Sequence, residues 1–374
     1  MKVMHIEAGR HLYGGARQVL YLAEGLKLRG IDCAVVCPAG SEIAARLPHM
    51  GIPVFPIPMG GDLDFAVIGR LRKLIADFEP DIIHLHSRRG ADWFGSIAAR
   101  RFPDIPVIVS RRVDNAESAL VVKYKYRLFD RVVAISSAIR DVLADAGVPA
   151  QKLRVVHSAV RTATWERSWD RVAFAKTFFN QTSGSVEKRR APVIGMVAQL
   201  IKRKGHRFVL EAVPMIRERY PDVRVVFFGR GPEDSRLMLQ AQRLGIEQAV
   251  TFAGFRKDIN HWLGCLNVFI HPPLTEGLGV AVLQAAAASL PIVASRVGGV
   301  TEIIEDEVNG LLIDPESPAQ IAEGVLRLLD DREGAEAMGK AAHEKVVSQF
   351  SVDAMVEGNL NVYLELLNEH GKGL

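Results

Sequence analysis

A chain of 374 residues is longer than one ordinary hydrophobic core supports, so two domains are expected. Hydrophobic residues make up 48% of the chain and charged residues 24%, which is typical of globular proteins and excludes a disordered or fibrous one. The formal net charge of +4 is unevenly placed, with +8 on residues 1–186 and −4 on residues 187–374. The basic first half indicates an acidic partner, which can be an anionic membrane surface, a phosphorylated glycolipid or nucleic acid.

The three cysteines, Cys33, Cys37 and Cys265, lack C-x2-C spacing, so they indicate reduced, mostly buried thiols. No apolar run reaches the roughly 18 residues that span a bilayer, and the N-terminus passes directly into a strand-like segment without a signal peptide. We therefore expect a cytoplasmic protein, with peripheral binding of its basic half to the inner face of the cytoplasmic membrane as a further expectation.

The first segments predict a parallel, doubly wound sheet, because a strand, a glycine loop, an amphipathic helix and a second strand follow one another over residues 1–38. The loop has neither the G-x-G-x-x-G pattern of dinucleotide sites nor the Lys-Ser/Thr pair of a Walker loop. Gly14 and Gly15 precede the helix. Their backbone N–H groups either donate to a phosphate or form only a structural turn.

Two polar motifs follow in the first half. Asp62-Leu63-Asp64 spells the D-x-D metal motif, but it stands before a helix, which favours an N-terminal capping role. His84 and His86 alternate along a strand-like segment and so face the same side of it. Two histidines can bind a metal ion, but no third ligand is spaced nearby, so a polar strand end is the preferred interpretation and no metal is predicted.

Basic side chains then accumulate. Arg111 and Arg112 end the next strand, and their guanidinium groups suit carboxylate or phosphate. Residues 123–131 mix basic and aromatic side chains, which fits a membrane-surface patch or, equally, a solvated helix with buried aromatics. The members of this basic-aromatic segment are Lys123, Tyr124, Lys125, Tyr126, Arg127, Leu128, Phe129 and Arg131. No RNA-binding module is visible, so nucleic acid is not predicted as a partner.

The linker-like residues 180–192 place the domain boundary near residue 185, giving domains of 1–185 and 186–351. The second domain restarts the strand–loop–helix pattern, and its first loop contains Lys204 before Gly205. A lysine there either stabilises negative charge on a departing diphosphate or belongs to a basic surface turn. Residues 352–374 are amphipathic and predict a final helix.

Residues 271–299 predict a loop, a helix and a buried strand, and they carry the clearest chemistry of the chain. Free N–H groups at the helix start form an anion site, and the glycines there let a phosphate approach closely. The residues that form this site are Gly277, Leu278, Gly279 and Val280. Glu276 precedes the site, where a carboxylate suits sugar hydroxyls and not phosphate. Gln284 lies within the helix and can offer its amide to further hydroxyls.

This stretch resembles the E-x7-E signature of retaining glycosyltransferases of family 4, and the resemblance covers nearly the whole chain. It implies the GT-B fold, in which two Rossmann-like, doubly wound parallel-sheet domains face a central cleft and the C-terminal helix of about 352–374 packs back on the first domain. It also implies that Glu276 contacts the transferred sugar. Gln284 stands where the family has a second glutamate that holds the ribose, so its contact lacks charge assistance.

The same resemblance implies roles for other residues. Lys204 would neutralise the diphosphate, with Gln199 in place of an arginine whose charge Lys202 or Arg203 can supply. Three further segments complete the predicted site: Gly14 and Gly15 near the donor diphosphate, Gly254, Phe255 and Arg256 near the nucleobase, and His86, Arg111 and Arg112 on the acceptor side. Arg111-Arg112 replaces a histidine of many relatives, and His157-Ser158-Ala159 replaces an Asn-Gly pair.

We therefore predict a metal-independent, cofactor-free retaining glycosyltransferase that uses a nucleotide diphosphate sugar. In front-face transfer the leaving phosphate oxygen takes the acceptor proton, so no general base is assigned. The predicted acceptor is a phosphorylated or acidic glycolipid of the bacterial cell envelope, such as a lipopolysaccharide core. The alternatives are a glycosyltransferase or phosphorylase that acts on small sugars, and a non-catalytic relative that binds a nucleotide sugar or another partner.

Overall fold

The computed structural model describes residues 1–61, 63–86, 91–115, 117–165, 170–179 and 191–371. The chain divides into two compact units, the first comprising Met1–Ala159 and Val352–Leu374 and the second comprising Val160–Ser351. Residues 160–179 thus belong to the second unit. The boundary predicted near residue 185, and Asp62 of the D-x-D motif, lie outside the described residues.

The first unit contains a seven-stranded parallel sheet. Its strands are β1 (Lys2–Ile6), β2 (Asp32–Pro38), β3 (Val54–Ile57), β4 (Ile82–Leu85), β5 (Val107–Arg111), β6 (Arg131–Ala134) and β7 (Leu153–Val155). Its helices are α1 (Gly14–Leu28), α2 (Glu42–Arg46), α3 (Ala66–Phe78), α4 (Ala91–Ala99), α5 (Ala119–Lys125), α6 (Ser137–Asp145) and, from the C-terminal segment, α14 (Val352–Glu369). The strand order is β3-β2-β1-β4-β5-β6-β7. Strands β1, β4 and β5 are therefore neighbours, and their carboxyl ends meet at one edge of the sheet.

The strands form because their residues are apolar, often β-branched, and buried on both faces, as parallel sheets require. Val3 pairs with Ile82 of β4 and with Cys33 of β2, and all three side chains are buried. Ser136 caps α6 by accepting the Ile139 N–H at 3.1 Å. Before α3 the N-cap is Phe65, which lacks a side-chain cap. The pKa of the adjacent Asp64 is lowered first by a hydrogen bond from Arg70 and then by the N–H groups of Gly60 and of Val67 in the first turn of α3, a contact consistent with the capping role predicted for the D-x-D motif.

Helix α14 packs on α1 although more than 300 residues separate them in sequence. Gly25 makes this approach possible, because a Cβ at that position would lie 2.4 Å from Cγ2 of Val356. At the other end of α14, Glu365 forms ion pairs with Arg131 and Arg154. The C-terminal helix therefore completes the hydrophobic core of the first unit.

The second unit contains a six-stranded parallel sheet with the order β10-β9-β8-β11-β12-β13. Its strands are β8 (Val193–Val197), β9 (Arg224–Phe228), β10 (Val250–Gly254), β11 (Val268–His271), β12 (Ile292–Ser295) and β13 (Leu311–Ile313). Its helices are α7 (Arg171–Phe179), α8 (His206–Arg219), α9 (Asp234–Arg243), α10 (Val280–Ala287), α11 (Val300–Ile303), α12 (Pro318–Asp330) and α13 (Arg332–Gln349). Strands β8 and β11 are central neighbours, so the loops that follow them meet at the same edge.

The predicted α/β class, with two Rossmann-like units built on parallel sheets, is confirmed. Of the helices in the described part of the chain, none is both long enough and apolar enough to span a lipid bilayer.

Candidate active site

The loops after β8 and β11 bring Lys204 and Glu276 into direct contact. The Lys204 Nζ atom donates to Oε2 of Glu276, and both side chains are only 12% exposed. The two residues are 72 positions apart in sequence, and they meet because their strands are adjacent in the sheet. The structure thus joins the two side chains that were predicted to carry the chemistry.

His271 makes a second contact with the same carboxylate oxygen. Its Nε2 atom lies 2.9 Å from Oε2 of Glu276, and its ring is buried at the end of β11. Burial lowers the pKa of His271 and outweighs the opposing effect of the Glu276 charge, so the imidazole is neutral and donates its Nε2–H. Burial alone would raise the pKa of Glu276, but the contacts from His271 and Lys204 hold that pKa well below its usual range. Glu276 is therefore a fixed, ionised acceptor.

Two glycines with positive φ allow the loops to approach this closely. Gly205 has a φ of +78°, and a Cβ there would lie 1.9 Å from the carbonyl oxygen of Pro272. Gly298 has a φ of +47°, and its Cβ would lie 2.0 Å from the carbonyl oxygen of Glu276. An L side chain at either position would clash with the backbone as well as strain it, so both glycines fix the loop that carries Glu276.

Helix α10 begins at Val280, shortly after Glu276 in the chain. Its N-cap is Gly279, with a φ of +101°, and Leu278 is buried against the unit. The N–H groups of the first helical turn have no acceptor within the helix, which makes this terminus suited to an anion. Gln284 lies at the start of the second turn of α10 and is partly buried.

The other predicted donor residues lie on neighbouring loops of the second unit. Arg203 reaches the carbonyl oxygen of Thr275 at 3.5 Å, next to Glu276. Gln199 is exposed beyond β8, and Phe255 is 43% exposed beyond β10. Arg256 forms a bidentate ion pair with Asp258, so its charge is already balanced. Among the described contacts, none joins Gln199, Gln284, Gly254, Phe255 or Arg256 to Glu276, and their donor role stays a prediction.

The first unit has a separate pocket of about 740 Å³ at the carboxyl edge of β1, β4 and β5. It brings together four of the five residues predicted for the first unit, namely Gly15, His86, Arg111 and Arg112. Gly14, the fifth, begins α1 beside the pocket. The pocket also contains Glu7, Arg10 and Tyr13, which the sequence analysis did not select. Glu7 follows β1 directly, and its position after an apolar strand was the signal that could have identified it.

The two adjacent arginines of this pocket have different surroundings. Arg111 is buried, lies 3.4 Å from Glu117 and donates to the carbonyl oxygen of Asn115 at 2.5 Å, so its charge is already paired. Arg112 donates to two neutral acceptors, Ser158 Oγ and His86 Nδ1, each at 3.3 Å. Of the two arginines, Arg112 is therefore the one without a carboxylate in direct contact among the described residues, and the acceptor role predicted for both stays a prediction.

Three histidines lie beneath Arg112. His5, His84 and His86 are buried, and their ring nitrogens lie within 4.8 Å of one another, so the third histidine that was judged absent comes from β1. Arg112 can only donate, so His86 accepts at Nδ1 and donates from Nε2 to His5 Nδ1 at 2.9 Å. His84 is bonded to Ser110 and Tyr363. A cation on His86 Nε2 would need this proton removed beside a guanidinium, so the cluster fits a neutral hydrogen-bonded network and not a metal site.

The basic-aromatic segment is mostly structural. Lys125 is buried between Asp92 and Glu117, and Arg131 pairs with Glu365. Tyr126 and Phe129 are buried, whereas Tyr124 is 57% exposed. The interpretation as a helix with buried aromatics therefore accounts for more of these side chains than a membrane patch does.

Comparison with known proteins gives two family matches that together cover most of the chain. Residues 13–164 match the family described as Glycosyltransferase Family 4, and residues 179–345 match the family described as Glycosyl transferases group 1. The two matches correspond closely to the two halves that the sequence and the structure separate.

The chain is similar to several complete proteins. It is 30% identical over 383 residues to the lipopolysaccharide core biosynthesis glycosyltransferase LpsE of Rhizobium meliloti, which covers 98% of this chain and 99% of LpsE. It is 27% identical over 345 residues to the sulfoquinovosyl transferase SQD2 of Arabidopsis thaliana, which covers 82% of this chain but only 64% of SQD2. Its fold is similar to that of Anabaena Alr3699/HepE crystallised with UDP and glucose, with a TM-score of 0.81 at 20% identity over 97% of this chain and 99% of that one.

Proposed function

Because this chain belongs to glycosyltransferase family 4, we propose that it transfers a sugar, with retention of configuration, from a nucleotide diphosphate sugar to an acceptor hydroxyl. The observation that carries the proposal is the Glu276 carboxylate, which Lys204 and His271 hold at the start of α10. A carboxylate, a lysine and a helix N-terminus in one place supply a hydroxyl acceptor and two groups that stabilise a diphosphate.

In the proposed reaction the second unit binds the donor. Glu276 accepts hydrogen bonds from the sugar hydroxyls, while Lys204 and the first N–H groups of α10 stabilise the charge that develops on the departing diphosphate. Lys204 pairs with Glu276, so a bound diphosphate would compete with that carboxylate for the ammonium group. Gln284 would hold the ribose through its amide.

The bond changes follow from front-face transfer, which the family resemblance implies. The bond between the anomeric carbon and the phosphate oxygen breaks, the bond to the acceptor oxygen forms on the same face, and the acceptor proton passes to the leaving phosphate oxygen. All atoms and charges balance without a side-chain base, a resident metal ion or a cofactor, and we propose the reaction in that form.

The proposed acceptor is a glycan or glycolipid of the bacterial cell envelope, with a lipopolysaccharide core as the leading candidate. Similarity to LpsE over almost the full length of both chains supports this choice. The balance of +8 on residues 1–186 supports contact with an anionic membrane surface. Sedimentation with anionic and with neutral vesicles tests that contact, which should weaken as salt is added. Equal sedimentation with neutral vesicles would argue against it.

A second candidate is a non-catalytic relative that binds a nucleotide sugar. Gln199 and Gln284 favour it, because each stands where the family resemblance implies a charged residue. The other alternative, a transferase or phosphorylase acting on small sugars, predicts salt-insensitive activity on a free sugar without membrane binding.

A thermal-shift screen of nucleotides first identifies the nucleobase of the donor. The protein is then incubated with a panel of radiolabelled nucleotide sugars and with lipid and sugar acceptors. A nucleotide that binds only the folded chain raises its melting temperature. We expect transfer, or slow hydrolysis of the donor, with one base and one sugar. Binding of a nucleotide sugar with complete inertness across the acceptors would favour the non-catalytic alternative, and binding of no nucleotide would refute both.

A further inference from the structure

The first-unit pocket contains a cation that lacks a counter-charge in direct contact. Among the described residues no carboxylate forms an ion pair with Arg112, and its buried Nε atom donates to no acceptor. The pKa of Arg112 is lowered to about 10 by burial, which Glu7 only partly offsets, so the group stays charged near neutral pH. A partly buried guanidinium whose buried Nε donor is unused is costly unless an acceptor binds there.

Three histidines form the floor of the pocket beneath Arg112 and hold its guanidinium group in one orientation. His86 is held by His5 at 2.9 Å, and His84 is held by Ser110 at 2.8 Å and by Tyr363 at 2.6 Å. The histidines are neutral because burial lowers their pKa values well below the usual range. An uncharged floor neither repels an incoming anion nor supplies the counter-charge that Arg112 lacks in direct contact.

The walls of the pocket suit a sugar. Tyr13 and His11 lie at the mouth with ring centroids 5.5 Å apart, and both side chains are more than half exposed. Exposed aromatic rings of this kind can stack on the apolar face of a pyranose. Arg10 adds a second cation and Glu7 a carboxylate that can accept from hydroxyls. A volume of about 740 Å³ is that of a small-molecule site.

We propose that this pocket binds an acceptor sugar that carries an anionic substituent, either a phosphate or a carboxylate, and that Arg112 donates to that substituent. The proposal rests on the proposed function, because it takes the ligand to be the acceptor of the transfer. It makes Arg112 a specificity-determining residue and excludes Arg111 from that role, since Glu117 already balances the charge of Arg111.

The experiment measures binding of sugar probes to the full chain by calorimetry. The probes are glucose 6-phosphate, mannose 6-phosphate, glucuronate and galacturonate, with the neutral parent sugars and inorganic phosphate as references. The parent protein is the Lys204→Gln variant, in which the second-unit site cannot hold the phosphate. Three double variants are compared with it, each adding one substitution to the parent: Arg112→Gln, Arg112→Lys or the control Arg72→Gln. Arg72 is exposed on α3, outside the pocket.

We expect at least one anionic probe to bind about tenfold more tightly than its neutral parent, because hydrogen bonds to ionised groups are roughly twice as strong as neutral ones. Arg112→Gln should abolish that preference, Arg112→Lys should retain part of it, and Arg72→Gln should leave it unchanged. Phosphate probes and uronates distinguish the two substituents. Circular dichroism establishes that each variant is folded. If Arg112→Gln does not fold, the comparison of charged and neutral probes on the parent, together with Arg112→Lys, decides the question.

Three results would overturn the proposal: equal binding of charged and neutral sugars, no binding of any probe, or binding of inorganic phosphate alone as tightly as the sugar phosphates. A parallel titration of the wild type with UDP, GDP and ADP separates this proposal from the proposed function. Diphosphate binding should need Lys204 and not Arg112. Its absence counts against the transferase, whereas its presence without an Arg112-dependent sugar preference counts against the acceptor pocket.

Discussion

The two units place charged side chains at the same position of the same kind of sheet, yet they balance the charge in opposite ways. In the second unit Glu276 is satisfied twice, by Lys204 and by His271. In the first unit Arg112 has only neutral partners, Ser158 and His86. A site that neutralises itself is ready to exchange one internal partner for a ligand, whereas a site with an unpaired cation selects the charge of its ligand.

The largest effect is expected when the carboxylate of the Lys204–Glu276 ion pair is removed. Glu276→Ala should lower the transfer rate on the order of 10³-fold, because the transferred sugar loses its charged acceptor. It should leave nucleotide diphosphate binding unchanged or tighter, since Lys204 is released from its ion pair. Initial rates and calorimetric titration with the nucleotide measure the two effects separately.

The matched control for this prediction is Glu323→Gln on α12, an exposed glutamate of the same unit. Its rate should equal that of the wild type. Full turnover in the Glu276→Ala variant would remove this carboxylate from the mechanism, and loss of diphosphate binding would mean that the loop has collapsed.

A smaller effect is expected at His271, which contacts the carboxylate and positions it. His271→Ala should lower kcat about 10- to 100-fold, because a misplaced catalytic group costs rate even when it is chemically intact. His271→Gln can place an amide N–H near the position of Nε2, so it should restore part of the rate. The donor KM should change less than kcat in both variants. Equal rates for the Ala and Gln variants would assign His271 to packing alone.

The resemblance to family 4 and the two Rossmann-like units could be predicted because short motifs and strand–helix alternation are local properties of the sequence. Lys204 stands next to Gly205, and Glu276 lies three residues before Gly279; both glycines have a positive φ, so local sequence carries much of that site. The first-unit pocket was harder to predict. His5 stands 81 residues before His86 in the chain, and Tyr363 lies 279 residues after His84, so only the sheet order and the packing of α14 bring them together.

The dependence on contacts that are distant in sequence also explains why Arg111 and Arg112 were both assigned to the acceptor side. Arg111 and Arg112 look alike in sequence, but successive residues at a strand end point to opposite sides and meet different surroundings. Arg111 meets Glu117, and Arg112 meets His86. The basic-aromatic segment likewise contains Lys125 and Arg131, whose acidic partners lie on other elements. Charge counts from sequence therefore overestimated the unpaired basic surface of this unit.

A substitution that should strengthen donor binding tests the contact predicted between Gln284 and the ribose. Gln284→Glu should lower the donor KM about fivefold with little change in kcat, because a carboxylate strengthens hydrogen bonds to ribose hydroxyls by about 1 kcal/mol. Steady-state kinetics over a range of donor concentrations measure this change. Gln242→Glu, at an exposed position of α9, is a control of the same chemical change in the same unit. A weaker donor affinity in Gln284→Glu would mean that Gln284 lies near the diphosphate and not the ribose.

The smallest effect concerns the support of the first-unit pocket by α14, which carries Tyr363. Glu365 on this helix has its pKa lowered to about 2, chiefly by the hydrogen bond from Arg154 and with a further contribution from Arg131. A carboxyl group with a lowered pKa stabilises the folded state above its ordinary value of 4.5 and loses that contribution as the pH falls towards 2. Glu365→Gln should therefore lower the melting temperature above pH 5, by the equivalent of about 0.5–1 kcal/mol for a partly exposed pair. The difference from wild type should vanish as the pH falls from 4.5 to 2.

Glu357→Gln on the same helix, 58% exposed and 4.0 Å from Arg29, should show almost no difference at any pH. A difference at Glu365 that persists undiminished at pH 2 would show that the side chain acts through packing, and the anchoring of α14 would then rest on Val356 and Gly25 instead of on charge.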